Sequence, residues 1–154
     1  VFLMYGYVCT RFKWIMKDTL RKIPLIGRAC EQTGHIFVNR ATPQKDLLRK
    51  SINILKSGAS MGIFPEGTRC RNGKMGKFKK GAFVIANMTQ VPIIPITIDG
   101  AYDILPRGCK CLHWSPVTLT FHAPIECNGR DAENVERMME EAESVIRATL
   151  ENKQ

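Results

Sequence analysis

The chain has 154 residues, 44% of them apolar, which is enough for one compact domain with its own core and excludes a disordered or low-complexity segment. Its formal charge is +9, yet residues 1–130 hold 20 lysines and arginines against 7 acids, while residues 131–154 hold 3 against 7. A basic body with an acidic tail suits a phosphate-rich partner: nucleic acid, anionic lipid or a phosphorylated metabolite. The apolar run VFLMYGYV at the start falls short of the ~20 residues that span a bilayer and lacks signal-peptide architecture. The six cysteines (Cys9, Cys30, Cys70, Cys109, Cys111, Cys127) show no spacing that reads as a disulfide framework. Cys109-x-Cys111 has no second pair at zinc spacing, so free thiols in a reducing compartment and no metal are expected.

In chain order, RFKWIMK (11–17) alternates charged and apolar residues and predicts a strand. IPLIGRACEQTG (23–34) predicts a helix opened by Pro24 and closed at Gly34, and HIFVN (35–39) a second strand. Thr42 and Pro43 make an N-cap and first-turn pair, after which Leu48, Ile52 and Leu55 keep helical spacing until Gly58. SMGIF (60–64) predicts a strand ending at Pro65, and GAFVIANM (81–88) a mostly buried helix. PIIPITI (92–98) and VTLTFHAPI (117–125) predict strands, the first at an edge because of its prolines. Val135, Met138, Met139, Ala142, Val145, Ile146 and Leu150 form the apolar stripe of a final helix with its acids opposite. Strands alternating with helices predict a single α/β domain over residues 1–154, its sheet mixed but mostly parallel and flanked by helices.

The stretch IFPEGTR is the strongest candidate for chemistry. A strand that ends at Pro65 delivers the next residues to the carboxyl edge of the sheet, where open α/β folds bind ligands. Gly67 lets backbone approach a ligand, Thr68 adds a hydroxyl, and Arg69 offers a planar fork of donors for phosphate or carboxylate. Glu66 is the odd element: it either accepts from substrate hydroxyls or holds a neighbouring cation, and the plain alternative is a polar turn with a surface ion pair. Arg40 leaves the strand in GHIFVNR and is either a second phosphate ligand or a solvated charge. The loop RCRNGKMGKFKK (69–80) carries six positive charges and no acid. Phe78 is its only aromatic, so a nucleic-acid stacking platform is excluded, and a phosphate-steering or membrane-surface element fits better. His35, His113 and His122 have no acid five residues on, and no Gly-x-Ser-x-Gly elbow exists, so none of them reads as a catalytic base.

Taken together, these stretches resemble the glycerolipid acyltransferases, specifically the lysophosphatidic acid (1-acylglycerol-3-phosphate) acyltransferase family. GHIFVNR corresponds to the family's Gly-x-x-Phe-x-x-Arg block through Gly34, Phe37 and Arg40; FPEGTR (64–69) is its third block residue for residue. VPIIPITI (91–98) corresponds to the apolar fourth block, and FKKGAF (78–83) and a first-strand lysine, Lys17, are also typical of it. The resemblance implies that Lys17, Arg40, Glu66, Gly67, Thr68 and Arg69 bind the substrate, with the two arginines on its phosphate. It implies that Phe64, Pro65, Val91, Pro92, Ile93 and Pro95 line or support the acyl-donor side. The implied activity is acyl transfer from acyl-CoA or acyl-carrier protein to lysophosphatidic acid, with no cofactor, at the cytosolic face of a membrane with anionic lipids. The alternatives left open are another acceptor (glycerol 3-phosphate or a different lysophospholipid) and a non-catalytic phospholipid-binding module. The family's first block, Asn-His-x4-Asp, which carries the catalytic base, does not occur here. The resemblance implies that it precedes Val1, so residues 1–154 are expected to be inactive by themselves.

Overall fold

The computed structural model describes residues 4, 6, 11–39, 44–68, 74–104, 106, 109 and 111–152. These divide into two compact units, residues 1–63 and 64–154.

In the first unit the central strand is β1 (Phe12–Lys17), flanked in parallel by β2 (Ile36–Val38) and β3 (Ser60–Gly62) in the order β2-β1-β3. The register pairs Ile15 with Ile36 and Lys17 with Val38 on one side, and Phe12 with Ser60 and Trp14 with Gly62 on the other. Trp14 and Met16 turn to one face of the sheet and are buried there, while Ile36, paired with Ile15, is buried on the opposite face. The glycine at position 62 follows from that packing, because a Cβ there would come within 2.6 Å of the Trp14 ring. After β1 a 3-10 turn, Asp18–Lys22, precedes helix α1 (Ile26–Gln32), whose cap residue Leu25 takes the uncommon φ of 66°. Gly34 then leaves the helix at φ 74°, close to the expected end. Helix α2 (Gln44–Lys56) packs on β2 and β3, ends at Gly58 (φ 78°), and buries Ser51 completely by donating its hydroxyl to the Leu47 carbonyl. The expected cap pair Thr42-Pro43 lies outside the described residues. The 3-10 turn has no counterpart in the sequence reading, since five residues show no period.

The second unit holds α3 (Gly81–Thr89), β4 (Ile96–Asp99), the short α4 (Ala101–Ile104), β5 (Thr118–Phe121) and α5 (Ala132–Glu151). Strands β4 and β5 pair antiparallel, Ile96 opposite Phe121 and Asp99 opposite Thr118. The strand expected over 92–98 is a ladder only from Ile96, because Pro92 and Pro95 have no N–H to give. One isolated bridge, Ile93 with Ile125, continues the pairing beyond them. The core is Phe83 from α3, Ile125, and Val135, Met138 and Ala142 from α5, with Met138 fully buried. Asp131 caps α5 by accepting the Asn134 N–H at 2.7 Å. A buried polar link ties the two long helices together: the Asn134 side chain donates to Asn87 Oδ1 at 2.8 Å, and Asn87 donates to the Asp131 carbonyl at 3.1 Å. No helix among the described residues is long and apolar enough to cross a membrane.

Candidate functional site

The parallel order in the first unit places the carboxyl ends of β1, β2 and β3 at one edge, where Lys17 stands exposed beside Val38. Arg40 lies outside the described residues. Near that sheet, His35 accepts the Trp14 backbone N–H on Nδ1 at 3.1 Å. Burial and the nearby Lys13 ammonium, in that order, push its pKa down, so the ring that accepts this bond is kept neutral. His122 shares a 2.8 Å hydrogen bond with the Thr97 hydroxyl across the β4–β5 pair. Each of these two histidines is thus hydrogen-bonded to a residue of a strand.

In the second unit the stretch that begins at Phe64 is a closed turn. The Gly67 N–H donates to the Phe64 carbonyl at 3.1 Å, and Gly67 holds a φ of 69°, a conformation that favours glycine. The Lys79 N–H donates to the Pro65 carbonyl at 2.9 Å, so the chain returns to its starting point after the basic loop. Glu66 closes the neck: its carboxylate accepts the Gly76 N–H at 2.7 Å. A Cβ at Gly76 would sit 2.9 Å from Glu66 Oε2, so a larger residue there would make the carboxylate shift. The lysine side chain at 79 lies over the turn, with its ammonium 3.0 Å from where a Gly67 Cβ would be. Phe78 is turned inward and stacks on Phe83, ring centroids 6.3 Å apart, which anchors the returning strand of the loop in the core. The loop is also tied outward by an ion pair between Lys80 and Glu136 of α5. Arg69 and Cys70 to Gly73 lie outside the described residues.

The turn carries the exposed Thr68 and has the Lys79 side chain over Gly67, beside a half-buried carboxylate already engaged with backbone. Such a turn suits an anion. Glu66→Ala should therefore release the neck. A charge-assisted hydrogen bond of this kind contributes ~1.5–3 kcal/mol, so trypsin should cleave within residues 69–77 about tenfold faster or more. An unchanged cleavage rate would mean that Glu66 does not hold the loop.

The residues of the fourth block take supporting positions. Ile93 packs against the α3–α5 core and exchanges both backbone hydrogen bonds with Ile125, at 3.0 and 2.8 Å. Pro95 is buried, its carbonyl taking the His122 N–H at 3.0 Å, and the Val91 N–H donates to Ala86 at 3.3 Å. Pro92 is exposed, and Phe64 is 44% exposed. Lys79 is the site candidate that sequence reasoning did not single out; its signal was its place in FKKGAF, directly before the buried helix. Among the described residues Cys30, Cys109, Cys111 and Cys127 are free thiols.

The family pattern described as Acyltransferase matches residues 1–99, and the chain belongs to that family. Within it, a chloroplastic 1-acyl-sn-glycerol-3-phosphate acyltransferase of Brassica napus is 42% identical over 117 residues, 74% of this chain and 34% of that protein. A chloroplastic enzyme of the same description from Arabidopsis thaliana is 41% identical over 78% of this chain and 35% of its own length. The crystal structure of the 1-acyl-sn-glycerophosphate (LPA) acyltransferase PlsC from Thermotoga maritima superposes with a TM-score of 0.75 at 33% identity. That match covers 97% of this chain and 59% of the Thermotoga one. The chain thus spans about a third of the plant relatives' length. The α/β class expected from the alternation of strands and helices is the class observed, with a parallel sheet packed by helices.

Proposed function

We propose that these residues belong to a 1-acylglycerol-3-phosphate O-acyltransferase, which moves an acyl chain from acyl-CoA or acyl-carrier protein onto lysophosphatidic acid. The observation that carries this reading is the closed turn of Phe64 to Thr68, the start of FPEGTR, in a chain of the Acyltransferase family. Gly67, Thr68, Arg69 and Lys79 bind the acceptor's phosphate, and Glu66 sets the shape of the loop that presents them. Lys17 and Arg40 carry the same cationic chemistry on the first unit. In the reaction the acceptor hydroxyl gives up its proton to a base, its oxygen attacks the thioester carbonyl, and the C–S bond breaks to release the thiol. By the resemblance, that base is the histidine of the family's first block, and the reaction uses no cofactor beyond its co-substrate. The acceptor is itself a membrane lipid, so the protein works at a bilayer surface, on the cytosolic face. There the lysines of loop 69–80 each gain ~1 kcal/mol from anionic headgroups.

The test is acyl transfer by the full protein that carries these residues, with labelled oleoyl-CoA and a panel of acceptors. Phosphatidic acid is the expected product, with lysophosphatidylcholine used at least about tenfold less well, because its phosphate is shielded by choline. Preference for glycerol 3-phosphate would reassign the acceptor. Lysophosphatidate binding without any transfer would make the protein a lipid-binding module.

A further inference from the structure

Between the 3-10 turn that follows β1 and helix α1 the chain makes a tight corner whose backbone is held and whose tip is bare. The Ile23 N–H donates to the Leu20 carbonyl at 3.2 Å, and the Gly27 N–H returns to the Ile23 carbonyl at 2.9 Å. Gly27 is buried so close to the preceding backbone that a Cβ would lie 2.1 Å from the Arg21 carbonyl oxygen. On this corner Ile23 is 40% exposed, Pro24 is exposed and Leu25 is 86% exposed. Leu25 also holds a φ of 66°, a left-handed conformation that glycine or asparagine takes more readily. A leucine gains nothing from water there; its side chain stabilises only against something apolar.

The charges around the tip are sorted. From Lys17 to Gly34 the acids are Asp18 and Glu31, and Arg21 answers both: it pairs with Glu31 and lies 3.9 Å from Asp18. That leaves Lys22 before Leu25 and Arg28 after it, both exposed and in no ion pair among the described residues. Lys17, exposed at the end of β1, adds a third cation just before the corner. An apolar knob of Ile23, Pro24 and Leu25 is far smaller than the ~20–30 residues a side of a stable protein interface. It is large enough to enter the boundary between headgroups and acyl chains, with the cations left among the phosphates. We infer that residues 22–28 dock the protein on an anionic bilayer, Ile23 and Leu25 entering its interfacial layer while Lys22 and Arg28 meet the headgroups. This rests on the membrane association proposed above. It sets the bilayer beside Lys17, whose charge the proposed function uses for a lipid acceptor.

Hydrogen–deuterium exchange of the full protein reads this corner locally, whatever other segments meet lipid. Vesicles of phosphatidylcholine with phosphatidylserine slow exchange in peptides covering 22–28 at least about threefold, and neutral phosphatidylcholine vesicles slow it less. Leu25→Gly is the decisive variant, because glycine accepts the φ of 66° and thermal unfolding is not lowered. It removes the protection. Combined with Ile23→Ser, it raises the KM for long-chain lysophosphatidate carried in vesicles about tenfold or more. The KM for a short-chain, water-soluble lysophosphatidate stays the same. Lys22→Gln with Arg28→Gln abolishes the preference for anionic vesicles. Unchanged exchange at 22–28 on both kinds of vesicle overturns the docking corner and leaves acyl transfer standing. An equal rise in KM for both acceptors makes the corner structural and also overturns it. Protection on anionic vesicles in a protein that transfers no acyl chain supports the docking and overturns the proposed function. Protection that grows with protein concentration in the absence of vesicles assigns the corner to self-association and overturns the bilayer.

Discussion

Arg69→Ala raises the KM for lysophosphatidate by about 30-fold or more and changes the KM for acyl-CoA by less than about twofold. In the proposed function Arg69 pairs with the acceptor's phosphate, and truncating one member of a hydrogen-bonded charge pair costs ~2–5 kcal/mol. Arg69 follows directly on Gly67 and Thr68, whose conformation is set by the Gly67–Phe64 and Lys79–Pro65 hydrogen bonds. Arg69→Lys should restore only part of the affinity, because an ammonium keeps the charge and loses the planar fork. Steady-state kinetics with each substrate varied in turn decides it. An equal rise in both KM values would remove the phosphate from Arg69.

Met138→Ala lowers the stability of the fold by ~2–5 kcal/mol and the Tm by about 10 °C. Met138 is fully buried at the centre of the α5 face that packs on Phe83 and Ile125. Truncation removes its transfer energy and leaves a cavity, since Val135 and Ala142 are fixed one turn away on the same helix and cannot close in. Met138→Leu keeps the volume and should cost less than about 1.5 kcal/mol. Thermal unfolding followed by circular dichroism measures both; a loss below about 1 kcal/mol for the alanine variant would show that the helix does not rely on this contact.

The particular elements show where local reading ended. The α5 stripe was legible because Val135, Met138 and Ala142 recur at helical spacing, and those three are the buried ones. FPEGTR was legible because residue types alone specify a turn with donors, and the positive φ of Gly67 agrees. The strand over 92–98 was overread: apolar β-branched residues outvoted two prolines, and the backbone obeyed the prolines. Helix α4 was missed because four residues show no period. The partner of Glu66 could not be read at all. It is the backbone of a glycine ten residues away, and a backbone N–H leaves no mark in the sequence.

What the sequence by itself determined is chemistry and local form: a basic body with an acidic tail, the α/β class, and the residue types of the FPEGTR turn. Only the tertiary structure decided which of these are held and which are free. Phe78 became a core anchor rather than a surface aromatic because the loop returns onto Phe83. Asn87 and Asn134, 47 residues apart, became one buried link. Trp114 was left in water while Trp14 was buried beneath Gly62. Burial and hydrogen-bond partnership belong to pairs of residues brought together by folding, and no residue carries them alone.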